Sequence, residues 1–303
     1  MRVTPYMKMM RVDHWCKNVF VLPGIIIAAR LTDTPFAQFA FPLFLGLASV
    51  CLITSANYVL NEWLDANFDK FHPIKKNRPA VVTHMRALWV YMGYGILLTG
   101  GLGLALLVSF HYFLASLFFG MMGVLYNVPP CRLKEKVYLD VLAESLNNPL
   151  RLALGWLVVS ASSLPPVSLM LGYWMAAAFW MGIKRYAELR FMGQVATRYR
   201  RSFRFYTEQN LLISSFLYGT CFYFFFSVFS IKYRVEMLVS IPFLIILFIW
   251  YFRIAQNLQS EAFPSQLSFH TKAFWGYCLF MALIVVMLLL FDLRGTGWFL
   301  KMG

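Results

Sequence analysis

Nine apolar runs separated by short polar stretches make up most of this chain. They are Val19–Ala29, Pro35–Leu60, Leu88–Ser109, Tyr112–Val128, Val137–Val159, Val167–Ile183, Leu211–Ile231, Met237–Ile254 and Ala273–Leu293. Most approach the ~20 residues with which a helix crosses a bilayer. The breakers Pro129-Pro130 and Pro165-Pro166 fall between runs. No low-complexity linker and no strong internal repeat is visible. The pattern predicts an all-α polytopic membrane protein of about nine transmembrane helices, with residues 1–303 forming one domain. The first run is short and follows a basic start, which also describes a signal peptide. The junction from Arg11 to Asn18, reading R-V-D-H-W-C-K-N, is too specific for a leader, so a mature first helix is expected.

Composition agrees with the pattern. Hydrophobic residues are 60% of the chain and charged residues only 13%, against ~25% in soluble domains. The five cysteines are scattered without a C-x-x-C pair, so they are read as free thiols, without a disulfide framework or zinc site. The formal charge of +14 raises the question of a nucleic-acid partner. The placement of the cations answers it. With a cytoplasmic N-terminus, 21 of the 27 Lys and Arg fall on the cytoplasmic side, five on the other, and Arg151 lies within a helix. That asymmetry is the positive-inside rule, and no nucleic acid is needed.

The densest charge follows the second run. Asn61 to Pro79 reads N-E-W-L-D-A-N-F-D-K-F-H-P-I-K-K-N-R-P. Glu62, Asp65 and Asp69 stand at i, i+3 and i+7, so on a helix they share a face, with Asn61 one turn behind Asp65. Lys70, Lys75, Lys76 and Arg78 follow at once. Carboxylates hold a hard cation through oxygen, and neighbouring cations take the remaining charge of a polyphosphate. Acid followed by base at a membrane-helix end therefore suits magnesium and a polyphosphate. A solvated helix end with a charged loop is the bland alternative, but it does not require three acids on one face.

Two further clusters carry polar groups where burial is costly. Asp140 and Glu144 are four apart, and Asn147, Asn148 and Arg151 continue the stripe past Pro149. A helix–helix hydrogen-bond network would account for these equally. Later, Lys184, Arg185, Tyr186 and Glu188 offer phosphate donors beside a buttressing acid; a positive-inside anchor explains the cations there but not Glu188. Lys17 reads either as a polar-site cation or as a snorkelling interface lysine. His72 can touch phosphate or shape its turn. The other histidines share no ligand spacing. No Ser–His–Asp pattern, phosphate-binding glycine loop or thiol nucleophile is visible.

The segment N-x-x-x-D-x-x-x-D-x-x-H-P-x-K-x-x-R-P resembles the first aspartate-rich motif of the UbiA-type intramembrane prenyltransferases, and in particular their decaprenyl-phosphate phosphoribosyltransferase branch. Glu62 stands where that branch usually has Asp. The opening R-x-x-x-W-x-K-N, the set Leu133-Lys134, Asp140 and Arg151, and the segment Gly182 to Leu189 resemble the same branch in the same order, with Ile183 inserted. Asp140-x-x-x-Glu144 is a weakened form of the superfamily's second motif. The resemblance implies a UbiA-like helical bundle and magnesium held by Glu62, Asp65 and Asp69. It implies transfer of 5-phosphoribosyl from phosphoribosyl pyrophosphate to a polyprenyl phosphate, with release of pyrophosphate. Asp65, Asp69, Lys17 and Lys184 would be central to catalysis. Asn61, His72, Lys75, Lys76, Arg78, Lys134, Asp140, Glu144, Arg151, Arg185, Tyr186 and Glu188 would bind substrate. Localisation in a bacterial inner membrane with a cytoplasmic active site, and compatibility with a homo-oligomer, follow by the same analogy. The same first motif would serve an aromatic prenyltransferase using a polyprenyl diphosphate, where an intact D-x-x-x-D would be expected. A lipid-binding or transport scaffold with a dead site is the reading from a different class, and retention of Asp65, Asp69 and H-P-x-K-x-x-R-P argues against it.

Overall fold

A computed structural model describes residues 4–72, 74–256 and 272–290. Pro73 of the H-P pair, Arg2, His270, Arg294 and Lys301 lie outside the described residues. Among those described, every regular element is helical. The helices are α1 (Thr4–Met9), α2 (Leu22–Leu31), α3 (Phe36–Asp69), α4 (Pro79–Val82), α5 (Ala87–Val108), α6 (Phe110–Asn127), α7 (Leu139–Ser145), α8 (Asn147–Val159), α9 (Val167–Met192), α10 (Ala196–Tyr199), α11 (Glu208–Tyr233), α12 (Ile241–Gln256) and α13 (Lys272–Leu290). A 3-10 segment, Val12–Val21, joins α1 to α2.

Seven helical segments among the described residues are long and apolar enough to span a bilayer. The expected nine apolar runs do not all meet that description. The run Val137–Val159 is divided between α7 and α8, of 7 and 13 residues. At 1.5 Å per residue, α8 alone covers only ~20 Å of a ~30 Å hydrocarbon core. By the same measure the 34 residues of α3 cover ~50 Å. This excess over the core thickness lets α3 carry Glu62, Asp65 and Asp69 on turns beyond its apolar stretch.

Among the described residues the chain divides into two compact units. The first comprises the residues up to Pro165 together with Gln194–Phe205, and the second comprises Pro166–Gly193 and the residues from Tyr206 onward. In the first, α3 packs on α5, α6 and α8, and α2 packs on α8. The α2–α8 crossing depends on two glycines. A Cβ on Gly24 would lie 2.0 Å from the Leu152 carbonyl oxygen, and one on Gly155 would lie 2.1 Å from that of Val21. Small residues let helix backbones touch in this way, and the contact brings Asn18 up to Arg151. Two helix starts carry side-chain caps. The Ser109 hydroxyl accepts from the Tyr112 amide at the start of α6, and the Thr207 hydroxyl accepts from the Asn210 amide at the start of α11, the usual N-cap arrangement. In the second unit α9 and α11 form the main pair. Phe248 on α12 stacks against Phe179 and Phe222, with ring centroids 4.3 and 5.1 Å away.

Candidate functional site

The acidic turns of α3 face a cleft in the first unit, lined by Asp65, Phe68, Asp69, Lys75, Arg132, Lys134, Glu135, Tyr199, Arg200 and Arg201. Asp65 gathers three donors there. Lys134 Nζ and Arg132 Nη2 (3.2 Å) both donate to Asp65 Oδ1, while Asn61 Nδ2 donates to Oδ2 at 3.1 Å. Asp69, one turn on, receives the Arg78 guanidinium. The 3-10 turn Lys75–Asn77 follows His72, whose Nδ1 accepts the backbone amides of Ile74 and Lys75, both at 3.2 Å. His72 thus shapes this turn, and its buried ring rests edge-on against Tyr199 at 4.7 Å. Lys76 is exposed and is not among the cleft-lining residues.

Several groups missed by sequence reasoning complete the cleft. Asn127, buried at the end of α6, accepts through Oδ1 from Asn61 Nδ2 (2.6 Å) and Lys134 Nζ (2.8 Å). It thereby orients two of the three partners of Asp65. Arg132 has a left-handed backbone, φ 30°, which a residue with a Cβ adopts only at a cost. Its side chain bridges Asp65, Glu135 (2.6 Å) and the Asn127 carbonyl (3.3 Å). Arg201 reaches Glu135 at 3.2 Å. Burial pushes the Lys134 ammonium down from its ordinary 10.5 to about 8, with Asp65 opposing the shift. The available signals were faint. Asn127 is a polar residue closing an apolar run, and Arg132, Arg200 and Arg201 fit the cytoplasmic charge bias without any further role.

Other predicted residues are placed elsewhere. Glu62 is buried to 1% exposure and does not join the cleft lining. Its Oε2 accepts from Arg11 Nε and its Oε1 from the Ala80 amide, each at 3.3 Å. The expected trio of Glu62, Asp65 and Asp69 therefore does not converge. Among the described residues no three His, Cys, Asp or Glu side chains gather as a metal cluster. Asp140 is also off the cleft surface: fully buried, it accepts from Arg200 Nη1 and Ser202 Oγ, both at 3.3 Å. Glu144 accepts from the Tyr126 hydroxyl at 2.7 Å. Arg151 donates through Nε to Asn18 at 3.1 Å and lies over the Phe119 ring, 5.1 Å from its centroid. Lys17 lies 5.9 Å from the centroid of Tyr58. In the second unit, Arg185 donates to Glu188 at 3.0 Å with both side chains buried, and Arg190 donates to the Tyr186 hydroxyl. Lys184 lies on the same stretch of α9. All five cysteines are free thiols, as expected.

The model of the UbiA prenyltransferase family matches residues 18–273. The chain belongs to this family. It is a transferase-family integral membrane protein, and the acidic cleft lies within the part that matches. A decaprenyl-phosphate phosphoribosyltransferase from Mycolicibacterium smegmatis is 26% identical over 212 residues, 69% of this chain and 64% of that protein. A nodulation protein NoeC from Azorhizobium caulinodans is 32% identical over 97 residues, 32% of this chain and 30% of that protein. The chain thus spans less than two thirds of the length of these curated relatives. A solved UbiA homologue from Archaeoglobus fulgidus, bound to GPP and Mg2+, has a TM-score of 0.70 at 18% identity, covering 94% of this chain and 98% of that one. At that identity the likeness concerns the fold.

Proposed function

We propose that this member of the UbiA family moves a 5-phosphoribosyl group from phosphoribosyl pyrophosphate to a polyprenyl phosphate. The observation that carries the reading is the composition of the cleft. Lys75, Arg132, Lys134, Arg200 and Arg201 surround only Asp65, Asp69 and Glu135, an excess of cations suited to a donor bearing a diphosphate and a further phosphate. Neither member of the second acidic pair lines the cleft: Asp140 is fully buried against Arg200 and Ser202, and Glu144 accepts from Tyr126. This disfavours a site with two acidic motifs around one prenyl diphosphate. The partial match to the mycobacterial phosphoribosyltransferase supports the same donor.

Two carboxylates a turn apart, with the Asn61 amide on Asp65, form an all-oxygen donor set. That set fits magnesium, which binds through one or two carboxylates and completes its shell with water and substrate phosphate. Asp65 and Asp69 would hold the ion, which when bound supplies Lewis-acid neutralisation of the leaving pyrophosphate. Lys75, Arg78, Arg132 and Lys134 donate to phosphate oxygens and stabilise charge as it develops on the leaving group. An acceptor phosphate oxygen forms the new bond to the anomeric carbon as the carbon–pyrophosphate bond breaks. The acceptor is already an anion, so no general base is required. The bias of 21 cations to one side supports a cytoplasmic cleft and a cytoplasmic N-terminus.

The test supplies purified protein and magnesium with radiolabelled phosphoribosyl pyrophosphate and a polyprenyl phosphate, alongside a prenyl diphosphate with hydroxybenzoate. EDTA-sensitive label in the lipid fraction is the expected result. A prenylated aromatic in the parallel tube, with no label in lipid, would overturn the donor assignment in favour of aromatic prenyl transfer.

A further inference from the structure

We infer that Glu62 is a positioning residue that clamps the cation-bearing loop of the cleft, and that it does not share a metal ion with Asp65 and Asp69. The inference rests on the cleft being the diphosphate site. Three observations lead to it. Glu62 is buried and does not line the cleft, and its two oxygens are held by groups that do not line it either, Arg11 Nε and the Ala80 amide, whereas Asp65 is held within the cleft by Lys134 and Arg132. Those partners come from segments on either side of α3 in sequence: Arg11, between α1 and the 3-10 segment, and the first turn of α4, which follows Arg78 directly. Arg11 is also held in the left-handed region, φ 49°, a conformation that persists in a non-glycine residue only where its surroundings enforce it. The loop that runs into α4, and is tied down there at Ala80, carries Arg78, which pairs with Asp69, and Lys75, which lines the cleft.

The longer side chain belongs to this role. A carboxylate one methylene shorter would draw back from partners that already stand at 3.3 Å on each oxygen. Glu62 therefore acts on phosphate through the loop it holds, touching neither phosphate nor metal itself.

Two binding measurements on the full-length protein in detergent separate this role from metal ligation. Mn2+ affinity is read by the spectrum of the free ion in electron paramagnetic resonance. Pyrophosphate affinity is read by calorimetry without metal. A metal ligand, or an outer-shell partner of one, would lose about 10–100-fold in Mn2+ affinity on substitution. Glu62→Gln and Glu62→Asp are expected to leave Mn2+ affinity unchanged, and to weaken pyrophosphate binding by roughly tenfold, the loss of a charged contact acting through the loop. Arg11→Gln, which leaves α3 intact, should reproduce the pyrophosphate loss, and the double variant Arg11→Gln with Glu62→Gln should add little to either single one. A fall in Mn2+ affinity in Glu62→Gln that Glu62→Asp restores would overturn the inference, as would pyrophosphate binding that none of the variants changes. Asp65→Asn is the control on the functional reading. If it leaves Mn2+ affinity intact, the proposed metal site fails, while the metal-free pyrophosphate arm still decides the role of Glu62.

Discussion

Replacing Lys134 with methionine should weaken donor binding without weakening the fold. The ammonium is buried, its side chain 8% exposed, and it donates to Asp65 and to Asn127 Oδ1 at 2.8 Å. Even with Asp65 beside it, burial brings its pKa from 10.5 to about 8. The difference corresponds to ~3 kcal/mol by which folding disfavours the charged form. The sign follows from linkage. Below pH 8 the lysine is protonated in both states and the full cost is present. Between about pH 8 and 10.5 the unfolded chain binds the extra proton, so this group makes stability rise with pH. Lys134→Met removes both the cost and the rise. Asp65 keeps Arg132 at 3.2 Å and Asn61 at 3.1 Å, so no carboxylate is stranded. The melting temperature of the variant at pH 7 should equal or exceed that of the native protein, and the native protein should gain on it from pH 8 to 10.5. Transfer should respond oppositely. One charge-assisted hydrogen bond to phosphate is worth ~1.5–3 kcal/mol, roughly a tenfold to hundredfold loss in kcat/KM. Melting curves against pH and steady-state kinetics check the two halves. A variant that melts several degrees lower at pH 7, or that turns over normally, would refute the reasoning.

Other outcomes follow from the same geometry. Asp65→Asn and Asp69→Asn should each lower turnover by about 100-fold or more, and EDTA should abolish transfer until magnesium is restored; wild-type turnover in either variant would remove the metal-site proposal. Asp140→Asn leaves Arg200 facing a neutral partner in a buried pair, a loss of ~3 kcal/mol. The segment carrying Arg198, Arg201 and Arg204 should then be cut faster by trypsin, and an unchanged cleavage rate would deny Asp140 its anchoring role. Gly155→Ala places a Cβ against the Val21 carbonyl. It should destabilise by ~1–3 kcal/mol, seen as a lower melting temperature.

What the sequence determined about this protein was local. Apolar runs gave an all-helical membrane fold because a backbone in lipid must satisfy its own hydrogen bonds. The spacing of Asp65 and Asp69 placed them on one face of α3 because helical periodicity is intrinsic to the chain. Partner choice was a tertiary matter. Asp65 meets Lys134 and Arg132 across 69 and 67 residues of sequence. Asn127 joins Asn61 across 66, and Arg200 finds Asp140 across 60. Nothing in the pattern near Glu62 or Asp140 marks them as clamp and anchor, since a carboxylate has the same composition whether it faces a cleft or a buried arginine. Only the packing of α3 against the N-terminal segment, the Arg78 loop and the turn after α6 decides which acids remain available to a ligand. A buried charge must find a partner within a few ångströms, and the fold determines which residues come that close.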